Sequence, residues 1–231
     1  IKDRHGIEVL TSLPSIAYRE TITAKAEGHH RHKKQTGGAG QFGEVYLRIE
    51  PLPTGEGFKF GSAVVGGSIP SQYIPAVEAG VRQVMEAGAL FGFPMQDVSV
   101  TVYDGKHHSV DSKEIAFVQA GKKAFLDAVK KAKPIVMEPI VNMDITVPSD
   151  SAGGVTGDLS SMRGIITGTE ALPDNRMLIS GQVPLKEAQG YHSRLKSLTG
   201  GDGSFTMDFS HYAEVPREAL DVVQEQASLT A

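Results

Sequence analysis

In the second half of the chain, segments with the apolar periodicity of strands and of helices follow each other in an order that few folds share. IVNMDITV (140–147) is an apolar, β-branched run typical of a strand, and apolar residues then recur at helical spacing from Val155. Two strand patterns then flank a turn, one helix pattern runs from Pro184 to Leu198, and SFTMDFSHY (204–212) alternates as a last strand. This β-α-β-β-α-β order predicts a ferredoxin-like, split βαβ domain.

The first half predicts a different α+β domain. Its patterns indicate strands at 15–27, 43–50, 58–65 and 98–102, and helices at 71–87 and 112–132. The second of these helices is expected to bury one face: Ile115, Val118, Phe125 and Val129. The residue before a proline disfavours helix, so Lys133-Pro134 is predicted to end it. The domain boundary is therefore expected near 134–139, and residues 216–226 are interpreted as a short terminal helix.

The sequence excludes several kinds of chemistry. The 231 residues contain no cysteine, which rules out disulfides, thiolate metal sites and cysteine nucleophiles. Phosphate-loop, GxSxG and HExxH motifs are missing from the sequence, which favours a binding or mechanical role. The formal net charge is -4, so any RNA contact must come from local patches. No stretch approaches the ~20 apolar residues of a membrane span, and no signal peptide is recognisable. The chain starts without Met, and we interpret it as part of something longer.

Residues 28–43 (GHHRHKKQTGGAGQFG) are predicted to be a loop that joins two strands. The segment carries Lys33 and Lys34 after three histidines, and a glycine-rich stretch follows. Glycines let the backbone approach a ligand closely, and loop amides then bond phosphate oxygens. Gln35 and Gln41 are suited to bonding base edges or riboses. The segment is interpreted either as a loop pressed against structured RNA or as a solvated hairpin end.

Residues 104–114 (DGKHHSVDSKE) are predicted to be an exposed loop before a long helix. Asp111 or Ser112 is expected to cap that helix. Capping does not explain His107 and His108, and loop residues often carry function. Imidazole bonds phosphate, stacks on bases or binds metal. The clustering of histidines in these two loops keeps a metal site open as an alternative, although adjacent histidines on a loop rarely ligate one ion.

Two further features each allow two interpretations. Lysines on the long helix either complement the helix dipole near its C-terminus or add to RNA affinity: Lys122, Lys123, Lys130, Lys131 and Lys133. Gly153, Gly154 and Gly157 lower the helix propensity of their segment. That helix therefore either packs tightly on a sheet or lets a ligand approach. In the second case Arg163, Arg194 and Lys196 would meet phosphate.

Seven segments resemble elongation factor G in order and in spacing. They are YRETI (18–22), QTGGAGQFG (35–43), GGSIPSQYIPAVEAG (66–80), HSVDSKEIAF (108–117), KAKPIVMEPI (131–140), GDLSSMRG (157–164) and VPLKEAQGYHSRLKSLTGGDGSFTMDF (183–209). Together they cover nearly the whole chain. The resemblance implies a tail of the third domain at 1–13, the fourth domain at 14–134, the fifth domain at 135–215 and a C-terminal helix or tail at 216–231.

The resemblance also implies the fold and the partners. The expected fold class is α+β with two domains: an elongated α+β domain, similar to one of a small-subunit ribosomal protein, and then a ferredoxin-like βαββαβ domain. In the family, the tip of the first enters the decoding centre behind transfer RNA and messenger RNA, and the second faces the GTPase-associated region of the large subunit. The implied role is ribosome binding in translocation, in the cytoplasm, with no membrane partner. GTP and Mg would be held by an N-terminal GTPase domain outside this chain, which itself is expected to hold no cofactor and no metal and not to be an enzyme.

The family builds its tip from two loops, which correspond here to residues 35–43 and 105–112. His108 falls where the family carries its tip histidine. The resemblance and the loop chemistry together give one set of candidate RNA- or ribosome-binding residues: Lys33, Lys34, Gln35, Gly37, Gly38, Gly40, Gln41, His107, His108, Asp111 and Ser112.

Three positions depart from the family pattern. The family usually reads GGRGQYG where this chain has Ala39 and Phe42, and Ser109 stands where aspartate usually follows the histidine. The loss of an arginine removes a charge and a planar donor fork from an RNA-contacting loop. The departures keep two alternatives open within the family architecture, a ribosome-recycling paralogue and a tetracycline ribosomal protection protein. A metal-binding enzyme that uses the tip histidines is the alternative from another class.

Overall fold

Two hydrophobic cores organise the chain. The computed structural model describes residues 16–35, 40–220 and 223. Residues 18–137 and 214–220 form one unit, here called the larger unit, and residues 16–17 and 138–213 form the smaller unit. The predicted tail at 1–13 lies outside the described residues.

The strands are β1 (Arg19–Ile22), β2 (Ala26–Lys34), β3 (Gln41–Pro51), β4 (Phe58–Ser62), β5 (Val98–Lys106), β6 (Pro134–Pro148), β7 (Ile165–Leu172), β8 (Arg176–Pro184) and β9 (Ser204–Glu214). The helices are α1 (Ile74–Ala87), α2 (Glu114–Lys131), α3 (Ala152–Ser161), α4 (Leu185–Ala188) and α5 (Tyr191–Thr199). One-turn 3-10 helices precede α1 at Ser71–Tyr73 and α3 at Ser149–Ser151.

The larger unit contains a four-stranded sheet in the order β2-β3-β5-β4. β2, β3 and β5 pair antiparallel, whereas β4 and β5 are parallel and are joined through α1. These directions bring the end of β2, the start of β3 and the ends of β4 and β5 to one edge, which we call the loop end. The hairpin at 35–40, the β4–α1 connection and the β5–α2 connection all emerge there.

Helices α1 and α2 cover one face of this sheet, because every second strand residue is apolar and points to them. The core is built from Val45, Leu47, Ile49, Val98, Val100, Val102, Val77, Val81, Phe117 and Phe125. Close packing depends on two glycines. A Cβ at Gly28 would lie 2.0 Å from the carbonyl oxygen of Ala124, and one at Gly80 would lie 2.1 Å from that of Val118. Neither position can accept a larger side chain without moving α2.

A buried carboxylate in β1 organises the loop that follows α1. Glu20 is fully buried. Its Oε1 accepts the backbone N–H groups of Phe91 and Phe93 at 2.8 and 3.0 Å, and its Oε2 accepts those of Ala89 and Leu90 at 3.1 and 3.0 Å. Four amides that no helix or strand satisfies therefore share one charged acceptor.

The smaller unit has the ferredoxin-like arrangement. Its strands lie in the order β9-β6-β8-β7, with the hairpin β7–β8 and the pair β6–β8 both antiparallel. Helices α3 and α5 contribute Val155, Leu159, Tyr191 and Leu195 to its core. The predicted fold class, two α+β domains with a βαββαβ second domain, is confirmed.

Five local predictions were wrong. The expected strand at 15–27 is two strands, and the histidine-rich run expected in a loop lies within β2, where it pairs with β3 from His29↔Tyr46 to Lys34↔Gln41. Ile115 lies in the first turn of α2 beyond the sheet and is exposed.

The other two errors concern helix ends. The N-cap of α2 is Lys113, without a side-chain capping bond, because Ser112 is engaged elsewhere. The helix expected from Pro184 is divided into α4 and α5 at Gly190, whose φ of 74° is left-handed. Of the terminal helix expected at 216–226, residues 217–220 and 223 are helical and Pro216 is not, and residues 221–222 and 224–226 lie outside the described residues.

Candidate functional site

Two of the connections at the loop end are bonded to each other. The backbone N–H of Phe42 donates to the carbonyl oxygen of Asp111 at 2.9 Å, and the Ser112 hydroxyl donates to the carbonyl oxygen of Phe42 at 3.0 Å. The Tyr73 hydroxyl, from the turn before α1, donates to the carbonyl oxygen of Ser112 at 3.0 Å. The start of β3 and the β5–α2 loop are therefore held together, 70 residues apart in sequence.

The β5–α2 loop holds His108 in a defined orientation. The backbone N–H groups of Val110 and Asp111 point at its Nδ1, at 3.3 and 3.2 Å. A ring nitrogen that accepts hydrogen bonds carries no proton, so the neutral ring has its proton on Nε2. The backbone N–H of His108 donates to the Ser112 hydroxyl at 2.8 Å. This half-exposed imidazole is thus fixed on its Nδ1 side and is suited to donate from Nε2.

A cavity of about 260 Å³ opens between the hairpin and the β5–α2 loop. Its walls combine cationic, amide, aromatic, imidazole and carboxylate groups: Lys33, Lys34, Gln35, Gly40, Gln41, Phe42, His108 and Asp111. A Cβ on Gly40 would lie 2.8 Å from the Asp111 carboxylate, so the missing side chain lets the two loops approach. Seven of the eleven residues predicted from the sequence line this cavity, and Phe42 joins them.

The remaining predicted residues divide into three cases. Ser112 lies behind the cavity and ties the loops together. His107 turns away, with Nδ1 3.3 Å from the carbonyl oxygen of Ser68 in the β4–α1 connection. Gly37 and Gly38 lie outside the described residues. The binding role of the whole set stays a prediction.

Sequence reasoning missed Tyr73 and Ser68, which support the β5–α2 loop from the β4–α1 connection. Both lie in a segment that the resemblance had matched, but only contacts 39 residues apart in sequence reveal what they do. No local pattern marks either residue.

Beside the cavity, the solvent face of the sheet carries a buried carboxylate. Glu44 accepts from His29 Nε2 at 2.8 Å, and Arg31 Nε lies 3.1 Å from its second oxygen. The rings of His29 and Tyr46 stack with centroids 4.1 Å apart. Burial pushes the pKa of Glu44 upward, but pairing with Arg31 and His29 outweighs it, so the pKa lies below its ordinary value.

The histidines of β2 have separate partners. His29 bonds to Glu44, whereas His32 Nε2 lies 2.9 Å from Gln41 Oε1. Across the described ranges, no three His, Asp or Glu side chains are grouped so that they could hold a metal ion. The arrangement gives the metal alternative no support.

In the smaller unit, the glycines of α3 do not pack tightly. A Cβ at Gly153 or Gly157 would meet nothing within 4 Å, and one at Gly154 would meet only Leu198, at 3.9 Å. Of the two interpretations of these glycines, tight packing on the sheet was wrong, because all three positions are exposed. The approach of a ligand stays a prediction.

The arginines beside that helix are engaged in ion pairs. Arg163 forms a two-pronged pair with Glu138 at 2.7 and 3.0 Å, and Arg194 pairs with Asp158. The pairing with Glu138 raises the pKa of Arg163, although its partial burial opposes the rise. Both guanidinium groups are already paired with carboxylates, so neither is free to bind phosphate only.

Comparison with known proteins assigns the chain to a family. Residues 14–133 match the family model of elongation factor G, domain IV, and residues 135–223 match that of the elongation factor G C-terminus. The chain belongs to the elongation factor G family. It therefore consists of C-terminal domains of a translation elongation factor, a class of protein that acts in protein biosynthesis.

Individual relatives agree with this assignment. Elongation factor G of Aquifex pyrophilus is 47% identical over 223 residues, which are 96% of this chain and 32% of that protein. An elongation factor G-like protein of Thermotoga maritima is 43% identical over 98% of this chain and 33% of its own length. A crystal structure of a protein from Thermus thermophilus matches with a TM-score of 0.81 at 40% identity, over 97% of this chain and 34% of that one. The chain spans about a third of the length of these relatives.

In the part of the chain that the structure describes, no helix is long and apolar enough to cross a membrane.

Proposed function

We propose that this chain is the ribosome-binding part of an elongation factor G-like GTPase and promotes the movement of transfer RNA and messenger RNA. The loop end of the larger unit would enter the decoding centre of the small subunit. The observation that carries the proposal is the joining of the two loops around the 260 Å³ cavity, which brings Lys33, Lys34 and His108 together. The family of the chain gives this arrangement its meaning, because domain IV of elongation factor G is the part that matches here.

The chemistry of the cavity suits RNA. Lysine ammonium groups are point charges that pair with phosphate oxygens. The Phe42 ring and the His108 ring lie 6.3 Å apart and offer π-faces to bases. The Asp111 carboxylate and the Gln41 amide add the acceptors that base edges and 2′-hydroxyl groups require. Single-stranded or looped RNA presents phosphate oxygens, base faces, base edges and 2′-hydroxyl groups at once.

The remaining parts of the proposal follow from the family. The two domains would divide near residues 134–139, and the smaller unit would face the GTPase-associated region of the large subunit. GTP and Mg would be bound by a GTPase domain of the longer protein. The protein would work in the cytoplasm and would contact no membrane.

Single-round translocation on programmed ribosomes tests the proposal. The longer protein that carries this chain is compared with its His108→Ala variant and with His192→Ala, which removes an exposed histidine from α5. We expect rapid movement with the unchanged protein, slow movement with His108→Ala and no effect of His192→Ala. Equal rates for both variants would contradict a role of the tip. Ribosome-stimulated GTP hydrolysis without movement would refute translocation and would leave recycling as the activity to assay.

A further inference from the structure

One face of β2 carries a row of basic side chains that starts at the loop end and runs away from it. Alternate strand residues point to the same face, so Gly28, His30, His32 and Lys34 lie in one row. Gly28 marks this face as the one against α2. Lys34 lines the cavity at one end of the row, and His32 bonds to Gln41 beside it.

Helix α2 extends this row with Lys123. Lys123 is exposed and lies one turn before Asp127, whose carboxylate accepts the backbone N–H of His29, so it is on the β2 side of the helix. Burial of the His30 ring and, second, the charge of Lys123 lower the pKa of His30. Among the described residues, neither Lys34 nor Lys123 forms an ion pair. Both charges are therefore available to a partner.

The Asp127 carboxylate does not cancel the charge of Lys123. Asp127 lies one turn further along α2 and is occupied by Lys131 at 2.7 Å and by the backbone N–H of His29 at 3.2 Å. Hydrogen bonding to Lys131 is the main cause of the lowered pKa of Asp127. The row therefore keeps a local positive charge on a chain whose formal net charge is -4.

We propose that the row from Lys34 through His32 and His30 to Lys123 binds the sugar-phosphate backbone of an RNA strand that continues from the tip cavity. The inference rests on the proposed RNA contact of the tip and adds a second surface to it. Charge complementarity selects the partner, because the Lys34 and Lys123 charges pair with phosphates and the imidazoles between them bond to phosphate or sugar oxygens.

The dimensions of the row agree with such a partner. Lys34 and His30 are four residues apart in a strand, and strands rise roughly 3.3 Å per residue, so the part of the row on β2 is about 13 Å long. One nucleic-acid strand carries a phosphate for each ~3.4 Å of helix axis. This part of the row therefore spans on the order of four phosphates.

The chain offers a matched control on the same helix. Lys122 is the neighbour of Lys123 but lies on the α1 side, where its backbone N is 2.9 Å from the position of a Cβ on Gly80. Lys122→Gln and Lys123→Gln remove the same charge from adjacent positions, so they differ only in the side of α2 that loses it.

The test measures the affinity of the 231-residue chain for ribosomes as a function of salt. Each phosphate contact adds about 0.7 to the slope of log K against log salt for single-stranded RNA. We expect Lys123→Gln to lower the slope by about 0.7 and to weaken binding about fivefold near 0.1 M salt, with Lys122→Gln unchanged. Melting temperatures of both variants should equal that of the unchanged chain, because both charges lie outside the core.

Three other results would each overturn the inference. Equal effects of Lys122→Gln and Lys123→Gln would mean that only overall charge matters. A loss of affinity with Lys34→Gln but none with Lys123→Gln would confine the contact to the tip and leave the proposed function intact. No binding by the unchanged chain, or binding independent of salt, would remove both the row and the proposed RNA contact.

Discussion

Replacing Ser112 by alanine should separate the two loops of the tip without touching the core. The Ser112 hydroxyl accepts the backbone N–H of His108 at 2.8 Å and donates to the carbonyl oxygen of Phe42 at 3.0 Å. A typical intramolecular hydrogen bond contributes about 0.5–1.5 kcal/mol net, so the loss of two should cost about 1–3 kcal/mol. We expect a value near the lower end, since water can replace the hydroxyl at this partly exposed position.

Urea unfolding of the chain measures this cost, and amide hydrogen exchange locates it. The matched control is Ser109→Ala, three residues earlier in the same loop, because Ser109 is exposed and makes no side-chain hydrogen bond among the described residues. The exchange of the His108 amide should accelerate in Ser112→Ala alone. Ser112→Thr keeps the hydroxyl and should restore protection of that amide.

One pair of results would refute this role of the Ser112 hydroxyl. If Ser112→Ala and Ser109→Ala unfold at the same urea concentration and show equal exchange at His108, the hydroxyl stabilises neither its own loop nor the contact with Phe42. The joining of the tip would then rest on the Phe42–Asp111 backbone bond alone.

Two further predictions concern buried carboxylates of the larger unit. Glu20→Gln should lower the free energy of unfolding by about 3 kcal/mol, measured in urea, because an amide NH₂ cannot accept the two N–H groups that one carboxylate oxygen now accepts; a loss below about 1 kcal/mol would contradict this. The lowered folded-state pKa of Glu44 contributes stability above its ordinary value of 4.5, and this contribution is lost as the pH falls through the folded value. Glu44→Gln should therefore be less stable than the unchanged chain at pH 7, with the difference shrinking below about pH 4.5, and a difference that stays constant down to about pH 3 would refute the assignment.

The fold of the smaller unit could be predicted because the apolar periodicity of each segment indicates the order of its strands and helices. Each of its strands pairs with a neighbour that short-range periodicity reveals, as the hairpin β7–β8 shows. Strand β2 was not predictable in this way, because His29 to Lys34 are polar residues of low strand signal. Pairing with β3 determines their structure, and tertiary context overrides propensity.

The candidate site, too, could be predicted from the sequence only in part. Resemblance to the family identified the residues that line the cavity, and the structure brings most of them together. The residues that support them could not be read from the sequence. Ser112 suggested a helix cap, which is the commonest role of serine before a helix. Its actual partners are the amide of His108 in the same loop and the carbonyl oxygen of Phe42 in the other, and only the second depends on the meeting of two loops.

The contacts that hold His108 predict different roles for two residues of the tip: His108 binds the partner, and Ser112 positions His108. Binding costs less when the groups that bind are already ordered, because less conformational entropy is lost. The amides of Val110 and Asp111 fix the ring of His108 through Nδ1, and Ser112 fixes its backbone, so only Nε2 remains to meet a partner. Ser112→Ala should therefore weaken ribosome binding while His108 is still present, and in a His108→Ala background it should add little further loss. Fully additive losses in this double-mutant cycle would show that the two residues act separately, and the positioning role of Ser112 would be refuted.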